Sequence, residues 1–144
     1  MLRVVYNLRP PALDNLGLVG ALQQIATGYQ TSGLRVQLDV STTRLDLPAA
    51  IETAVYRIAH EAMTNVVRHA DASRCIVRLY CNSGHVSVEV RDDGRGLPAD
   101  YHAGVGVTAI RERAAELDGE LLLAPLPDGG TLVRTRLPLA VPNA

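Results

Sequence analysis

The sequence predicts an α/β two-layer sandwich with a mixed, largely antiparallel sheet that is covered on one face by about three helices. Segments with helical periodicity and segments with strand-like alternation follow one another in the order α-β-α-β-β-loop-α-β-β. Two pairs of strands are joined by short turns that contain glycine, and such hairpins build antiparallel sheets. The 144 residues suffice for one domain, which at this size buries roughly 70% of its unfolded surface.

The first predicted helix begins at Asp14, a favourable N-cap residue, and ends near Gly33. Pro10 and Pro11 separate it from any helix that precedes it. Residues 36–40 follow as a short strand, because valine and leucine alternate there with polar residues. The apolar positions that give the helix its periodicity are Leu18, Leu22, Ile25 and Tyr29.

Asp46 and Pro48 open the second predicted helix, since proline is tolerated in a first helical turn. Glu61, Asn65 and His69 follow one another at intervals of four residues on this helix, beside its apolar stripe. Polar side chains in that position are expected at the lip of a cavity. The stripe itself consists of Ile51, Val55, Ile58, Ala62 and Val66.

The second half of the chain contains two predicted hairpins separated by a glycine-rich segment and a helix. The predicted elements are strands over 74–81 and 85–91, an irregular segment over 94–106, a helix over 107–117 capped by Gly119, and strands over 121–123 and 132–137.

Composition excludes several classes of function. The formal net charge is −1, so no excess of positive charge favours nucleic acid or a membrane surface. Tryptophan and phenylalanine are absent, which leaves little for base stacking. No apolar run approaches the ~20 residues of a membrane span. Cys75 and Cys81 lie about 20 Å apart in one predicted strand, too far to pair, so free thiols and a cytoplasmic location are expected.

Glu61 and Asn65 form the first candidate site. Mg²⁺ prefers oxygen ligands and needs only one or two from the protein when phosphates supply others. An asparagine amide oxygen is such a ligand, and a carboxylate four residues earlier can polarise a nucleophile. A zinc-protease motif is excluded, because it needs histidine at position 64, where threonine stands. An ordinary polar helix edge remains the alternative for this pair.

The second candidate site is Asp92-Asp93-Gly94-Arg95-Gly96, at the end of a predicted strand. A carboxylate buried there can accept a hydrogen bond from an exocyclic amine such as adenine N6, and glycines permit close approach of a ligand to the backbone. A plain acidic turn is the alternative. Gly104 and Gly106 open a helix whose backbone N–H groups suit a phosphate. The glycines before Thr131 are also typical of an ordinary hairpin.

The order of these motifs resembles the Bergerat-fold ATP-binding domain of sensor histidine kinases, type II topoisomerases, the heat-shock ninety chaperone and mismatch-repair ATPases. The closer resemblance is to histidine kinases of the nitrate-sensor type. Residues 8–18 resemble the junction between dimerisation helices and catalytic domain in that group. Residues 56–70 are similar to its N box, and residues 104–113 to its second glycine box.

The resemblance implies ATP and Mg²⁺ as cofactors, and it implies roles for individual residues. Asn65 would ligate Mg²⁺, and Glu61 would act as a base or polarise the attacking imidazole. Asp92 would accept from adenine N6, and residues 97–103 would form a short lid. The remaining implied contacts are Arg68 and His69 to phosphates or ribose, Gly94 and Gly96 to the base, Gly104 and Gly106 to phosphates, and Thr131 beneath the base.

Kinases of this family carry a phosphoaccepting histidine in a segment of the kind E-x-x-R-I-A-x-x-L-H-D, which this sequence lacks. The resemblance therefore implies a catalytic domain over 14–140, preceded by the end of a dimerisation helix and linker over 1–13 and followed by a tail over 141–144. The acceptor histidine would lie on a dimerisation domain of the same protein, and a response regulator would follow it.

We expect this piece to be monomeric and without direct membrane contact, within a homodimeric full-length protein. Two alternatives of the same fold stay open. One is an anti-sigma-factor-type serine kinase, and the other is a non-catalytic nucleotide-responsive binding module.

Overall fold

The structure, a computed structural model, describes residues 9–41, 45–96 and 104–139. Within these ranges the chain forms three helices and five strands. In chain order these are α1 (Pro11–Tyr29), a 3₁₀ turn (Gln30–Ser32), β1 (Arg35–Val40), α2 (Ala49–Asn65), a π-helical turn (Val66–Ala70), β2 (Arg74–Asn82), β3 (His85–Asp92), α3 (Val105–Glu116), β4 (Glu120–Pro125) and β5 (Thr131–Pro138).

The five strands form one mixed sheet in the order β1-β2-β3-β5-β4. Strands β1 and β2 are parallel and are connected through α2, whereas the other three neighbouring pairs are antiparallel. The predicted two-layer α/β sandwich with a largely antiparallel sheet is thereby confirmed. The predicted segment 97–103 and the tail 141–144 lie outside the described residues.

One apolar core lies between the helices and the inward face of the sheet. All five residues of the predicted stripe on α2 and its continuation are buried, with Val55 and Ile58 almost inaccessible. Alternate residues of the strands meet them from the sheet, because successive strand side chains point to opposite faces. The inward positions of β2 and β3 are Cys75, Val77, Leu79, Val86, Val88 and Val90.

The first helix begins at Pro11, three residues before the predicted cap. Asp14 therefore lies in the first turn of α1, where its carboxylate accepts from Arg9 at 2.6 Å. A second nitrogen of Arg9 donates to Glu52 in the first turn of α2 at 2.5 Å. The helix is also interrupted at Gly17, whose φ of 73° lies in the region that favours glycine.

The α-helical spacing of α2 ends at Asn65, where a wider π-helical turn takes over. Glu61 and Asn65 keep their predicted relation. The prediction that His69 continues the same stripe is wrong, because the intervening turn no longer has α-helical geometry. A residue with positive φ, Asp71 at 51°, ends the turn.

The cap predicted for the third helix also differs in detail. Asp118, with φ of 58°, takes the left-handed position after α3. Gly119 does not have positive φ but lies where a side chain has no room, since an added Cβ would come within 2.4 Å of the Arg136 carbonyl oxygen. Its amide donates to the Ala114 carbonyl at 2.7 Å and closes the helix end.

Both cysteines are free, and burial raises the pKa of the Cys75 thiol to about 12. None of the helices within the described ranges has the length and apolar character needed to cross a membrane.

Glycine-to-alanine substitutions at two positions should change stability in opposite directions. Gly119→Ala should lower the free energy of unfolding by about 1–3 kcal/mol, because its Cβ would overlap Arg136 and Leu137. Gly28→Ala should raise it by about 0.5–1 kcal/mol, since alanine is the better helix former, and nothing lies within 4 Å of its Cβ position. Urea unfolding monitored by circular dichroism measures both, and equal effects would contradict this packing.

Candidate functional site

Four backbone segments converge at one edge of the sheet. They are the end of α2 with its π turn, the turn after β3, the start of α3 and the end of the β4–β5 hairpin. We call this region the glycine-lined edge and define it by residues 61–70, 92–96, 104–106 and 129–131. Glycines lie at the closest approaches between these segments.

Gly106 brings the start of α3 against the polar end of α2. A Cβ at this position would lie 2.6 Å from Asn65 Oδ1 and 3.0 Å from Glu61 Oε2. Asn65 and Glu61 are both half-buried. The amide and the carboxylate therefore meet at the first turn of a helix, where backbone N–H groups lack intrahelical partners and attract anions.

The Cβ position of Gly104, unlike that of Gly106, is free of neighbouring atoms. Gly104 adopts extended backbone at the N-cap of α3. Its carbonyl accepts from the Thr108 amide at 3.0 Å, which begins the helix. The predicted helix start at this pair of glycines is therefore present, and Gly106 is the one whose Cβ position is occupied, by the ends of the Asn65 and Glu61 side chains.

Asp92 is the last residue of β3 and lies beside Thr131 of β5. It is only 8% exposed, and its side chain accepts from the Gly94 amide at 2.8 Å. Burial raises the pKa of this carboxyl above its ordinary value of 3.8, while hydrogen bonds from the Gly94 and Thr131 amides oppose the rise. A carboxylate held in this way retains lone pairs for a further donor.

Asp93, its neighbour, has a structural role. Its Oδ1 accepts from the backbone amides of Ser73 and Arg74 at 2.8 and 2.9 Å, which holds the start of β2. These hydrogen bonds lower the pKa of Asp93. The two adjacent carboxylates thus face different surroundings, and only Asp92 is buried at the glycine-lined edge.

Gly130 and Arg95 belong to this edge although sequence reasoning did not assign them. A Cβ on Gly130 would lie 1.9 Å from the Asp92 carbonyl oxygen, and Gly130 itself has φ of 90°. Arg95 donates from its guanidinium to the carbonyl of His69. The sequence contained no signal for either contact, because a hairpin glycine and a loop arginine are common without such partners.

Four further residues that the resemblance assigns to the site belong to this edge. Gly96 has φ of 76°, and a Cβ added to it would lie 3.3 Å from the Gly130 carbonyl oxygen. Thr131 is buried beside Asp92. Arg68 and His69 are exposed on the π turn, with no described hydrogen bond from either side chain.

The sequence model of one ATPase family, described as "Histidine kinase-, DNA gyrase B-, and HSP90-like ATPase", matches residues 50–141. This span contains every residue of the glycine-lined edge and most of the chain. The chain belongs to this family.

Curated relatives within this ATPase family include sensor histidine kinases. The chain is 34% identical over 142 residues to sensor histidine kinase MctS of Rhizobium johnstonii, which covers 94% of this chain and 31% of the relative. It is 32% identical over 127 residues to sensor histidine kinase YxjM of Bacillus subtilis, covering 88% and 30%. The chain thus spans about a third of the length of these relatives.

Solved structures share the fold of this family member. The histidine kinase domain of the Erythrobacter litoralis EL346 blue-light activated histidine kinase superposes with a TM-score of 0.69 at 26% identity, covering 90% of this chain and 69% of that one. Full-length ShkA in complex with AMPPNP has a TM-score of 0.71 at 21% identity, covering 89% and 30%. At 21% identity, the similarity to ShkA shows only that the fold is shared.

The oxygen donors at the edge fit a hard divalent cation. Within the described ranges no group of three or more histidine, cysteine, aspartate or glutamate side chains could hold a metal by itself. Glu61 and Asn65 nevertheless place two oxygens close to one point. Such a pair is suited to Mg²⁺ that takes its other ligands from phosphates and water.

The opposite pKa shifts of Asp92 and Asp93 should be visible as opposite pH dependences of stability. A raised folded-state pKa means that the stability contributed by Asp92 is present below pH 3.8 and is lost as pH rises through the folded-state value. The contribution of Asp93 is present above pH 3.8 and is lost as pH falls.

Asp92→Asn should therefore become more stable relative to the parent as pH rises from 3.5 to 7, and Asp93→Asn should become less stable. Free energies of unfolding from urea titrations across this range measure both differences, and each variant serves as the control for the other. Parallel curves for the two variants would contradict the assignment of one buried and one hydrogen-bonded carboxylate.

Proposed function

We propose that this chain is the ATP-binding catalytic domain of a two-component sensor histidine kinase. It would transfer the γ-phosphate of ATP to a histidine on a dimerisation domain of the same protein. The observation that carries the proposal is the convergence of Asp92, Asn65 and Glu61 with the amides of α3 at one edge. Family membership and the sensor-kinase relatives support the same function.

Asp92 would select the base by accepting a hydrogen bond from the exocyclic amine of adenine. Its burial removes competing water, so the hydrogen bond gains strength and specificity. Gly94 and Gly96 would let the ring lie against the backbone, and Thr131 would lie beneath it. The fixed position of the carboxylate, held by the Gly94 amide, supports this role.

The phosphates would extend from Asp92 towards the start of α3. Space is open at the Cβ position of Gly104, and the amides of the first turn of α3 would bind the phosphate oxygens. Arg68 and His69 on the exposed π turn would reach the phosphates or the ribose. Asn65 would hold Mg²⁺ through its amide oxygen, and the bound cation would neutralise charge on the phosphates.

Glu61 would interact with the imidazole that attacks the γ-phosphate. In the transfer, the bond between the γ-phosphorus and the β,γ-bridging oxygen breaks, and a bond forms between that phosphorus and an imidazole nitrogen. ADP leaves with the bond electrons, and Glu61 would accept the proton from the imidazole or orient it. Positioning and charge neutralisation contribute most to such a reaction.

The proposal extends to the partners, location and oligomeric state of the full-length protein. The partners would be ATP, the dimerisation and phosphoacceptor domain, and a downstream response regulator, in the cytoplasm. The piece itself would be monomeric and the full-length protein homodimeric. Because the chain spans about a third of the length of its relatives, the dimerisation and phosphoacceptor domain would belong to the rest of the full-length protein.

A serine kinase of the anti-sigma-factor type and a non-catalytic module remain less supported. The curated relatives reported above are named as sensor histidine kinases, which favours histidine as the acceptor. A retained carboxylate at Glu61, next to Asn65, favours a catalytic site over one that only binds.

ATP binding tests the site directly. Asp92→Ala should weaken ATP binding by about 10- to 150-fold, because a hydrogen bond to a charged group contributes about 1.5–3 kcal/mol. Calorimetric titration with and without Mg²⁺ measures the affinity. Asp46→Ala, at an exposed acid just before the start of α2, is the matched control and should bind as the parent does. Equal affinities for Asp92→Ala and the parent would reject the adenine assignment.

Phosphoryl transfer tests the reaction. In the full-length protein, Glu61→Gln should lower autophosphorylation by about 100-fold or more and change ATP affinity far less, since a general base typically contributes 10²–10⁴ in rate. Transfer from [γ-³²P]ATP is followed as acid-labile, base-stable phosphate, the signature of phosphohistidine. Glu112→Gln, an exposed residue on α3, is the control. Acid-stable phosphate would instead indicate a serine acceptor.

A further inference from the structure

Arg95 joins the turn after β3 to the end of α2. Its Nε and Nη2 atoms donate to the His69 carbonyl oxygen at 3.0 and 2.8 Å. Its backbone amide donates to the Ala70 carbonyl oxygen at 2.9 Å. A single residue therefore supplies three donors to the last two carbonyls of the π turn.

These carbonyls need donors from outside the helix. The last carbonyls of a helix have no intrahelical partners, and Asp71 turns the chain away in a left-handed conformation. The carbonyl end of a helix also carries partial negative charge, which favours a cation. The guanidinium of Arg95 supplies this cation, because two of its nitrogens donate to the His69 carbonyl oxygen.

The neighbouring glycine makes the junction tight. A Cβ on Gly94 would lie 2.1 Å from the Ala70 carbonyl oxygen. The turn after β3 therefore lies directly against the π turn, with no space for a side chain between them. The guanidinium of Arg95 and the lack of a side chain at Gly94 therefore both hold the turn after β3 against the π turn.

The junction lies between the two ends of the proposed nucleotide site. Asp92 precedes Arg95 on the adenine side, and Asn65 precedes His69 on the phosphate side. We infer that Arg95 is a positioning residue that sets the distance between these ends, so that one nucleotide engages both. This inference rests on the proposed function, because it concerns the same site.

A comparison of two ligands separates positioning from general damage. MgATP must engage both ends, whereas adenosine engages only the Asp92 side. Arg95→Ala should therefore weaken MgATP binding at least 10-fold and change adenosine binding less than about 3-fold. Arg35→Ala removes the same charge from an exposed position on β1, outside the cavity that Asp92 lines, and should leave both affinities within about 3-fold of the parent. Calorimetry on the full chain measures all four affinities.

Arg95→Lys distinguishes a forked contact from a simple charge. Lysine keeps the charge but cannot make two parallel hydrogen bonds to one carbonyl, so its MgATP affinity should stay closer to that of Arg95→Ala than to the parent. Full recovery with lysine would mean that the residue acts as a charge on the phosphates and would overturn the inference. Unchanged MgATP binding by Arg95→Ala, or equal loss of both ligands, would overturn it as well.

Hydrogen exchange tests the junction without any nucleotide. In the unliganded chain, Arg95→Ala should speed exchange of the amides in residues 66–72 about 10-fold or more, and Arg35→Ala should not. Unchanged exchange in Arg95→Ala would reject the junction even if nucleotide binding were lost. A parent chain that binds neither MgATP nor adenosine would reject the proposed nucleotide site, whereas faster exchange in Arg95→Ala would still locate the positioning contact.

Discussion

The glycine-lined edge depends on backbone segments that approach one another more closely than side chains allow. Gly94 lies against the backbone of Ala70, and Gly130 lies against the backbone of Asp92. An added Cβ would come within 2.1 Å of the carbonyl oxygen at Gly94 and within 1.9 Å at Gly130, nearer than real Cβ atoms approach. The neighbours of Gly106 are instead the ends of the Asn65 and Glu61 side chains. The two backbone contacts therefore set the separations between the π turn, the turn after β3 and the β4–β5 hairpin, which are distant in sequence.

Burial of the Asp92 carboxylate suits the proposed binding of adenine but lowers the stability of the fold when the group is charged. Its burial disfavours the charged form, and two backbone amides compensate only in part, so the pKa stays raised. A carboxylate that only stabilised the fold would resemble Asp93, whose oxygen is fully used by the amides that begin β2. Buried polar groups that retain unused hydrogen-bonding capacity are typical of binding sites, where a ligand completes the set.

Helix α2 serves the core and the candidate site with different faces and different geometry. Its apolar stripe, which includes Val55 and Ile58, is buried against the sheet. Its last α-helical turn carries Glu61 and Asn65 at the edge of that stripe. The wider π turn then exposes Arg68 and His69 and directs its final carbonyls to Arg95. A rigid, well-packed helix is thereby a support for polar groups that must keep fixed positions.

The sequence by itself determined the elements, the fold class and the pairing of Glu61 with Asn65, because periodicity, turn residues and i, i+4 spacing act over short distances. Tertiary structure decided which glycines are sterically required: Gly94 and Gly130 face backbone atoms of other segments, whereas Gly104 faces open space. It also decided that His69 leaves the α-helical stripe and that Arg95 bonds the helix end. Such contacts join residues far apart in sequence, so no local pattern records them, and only the packing of the folded chain brings them together.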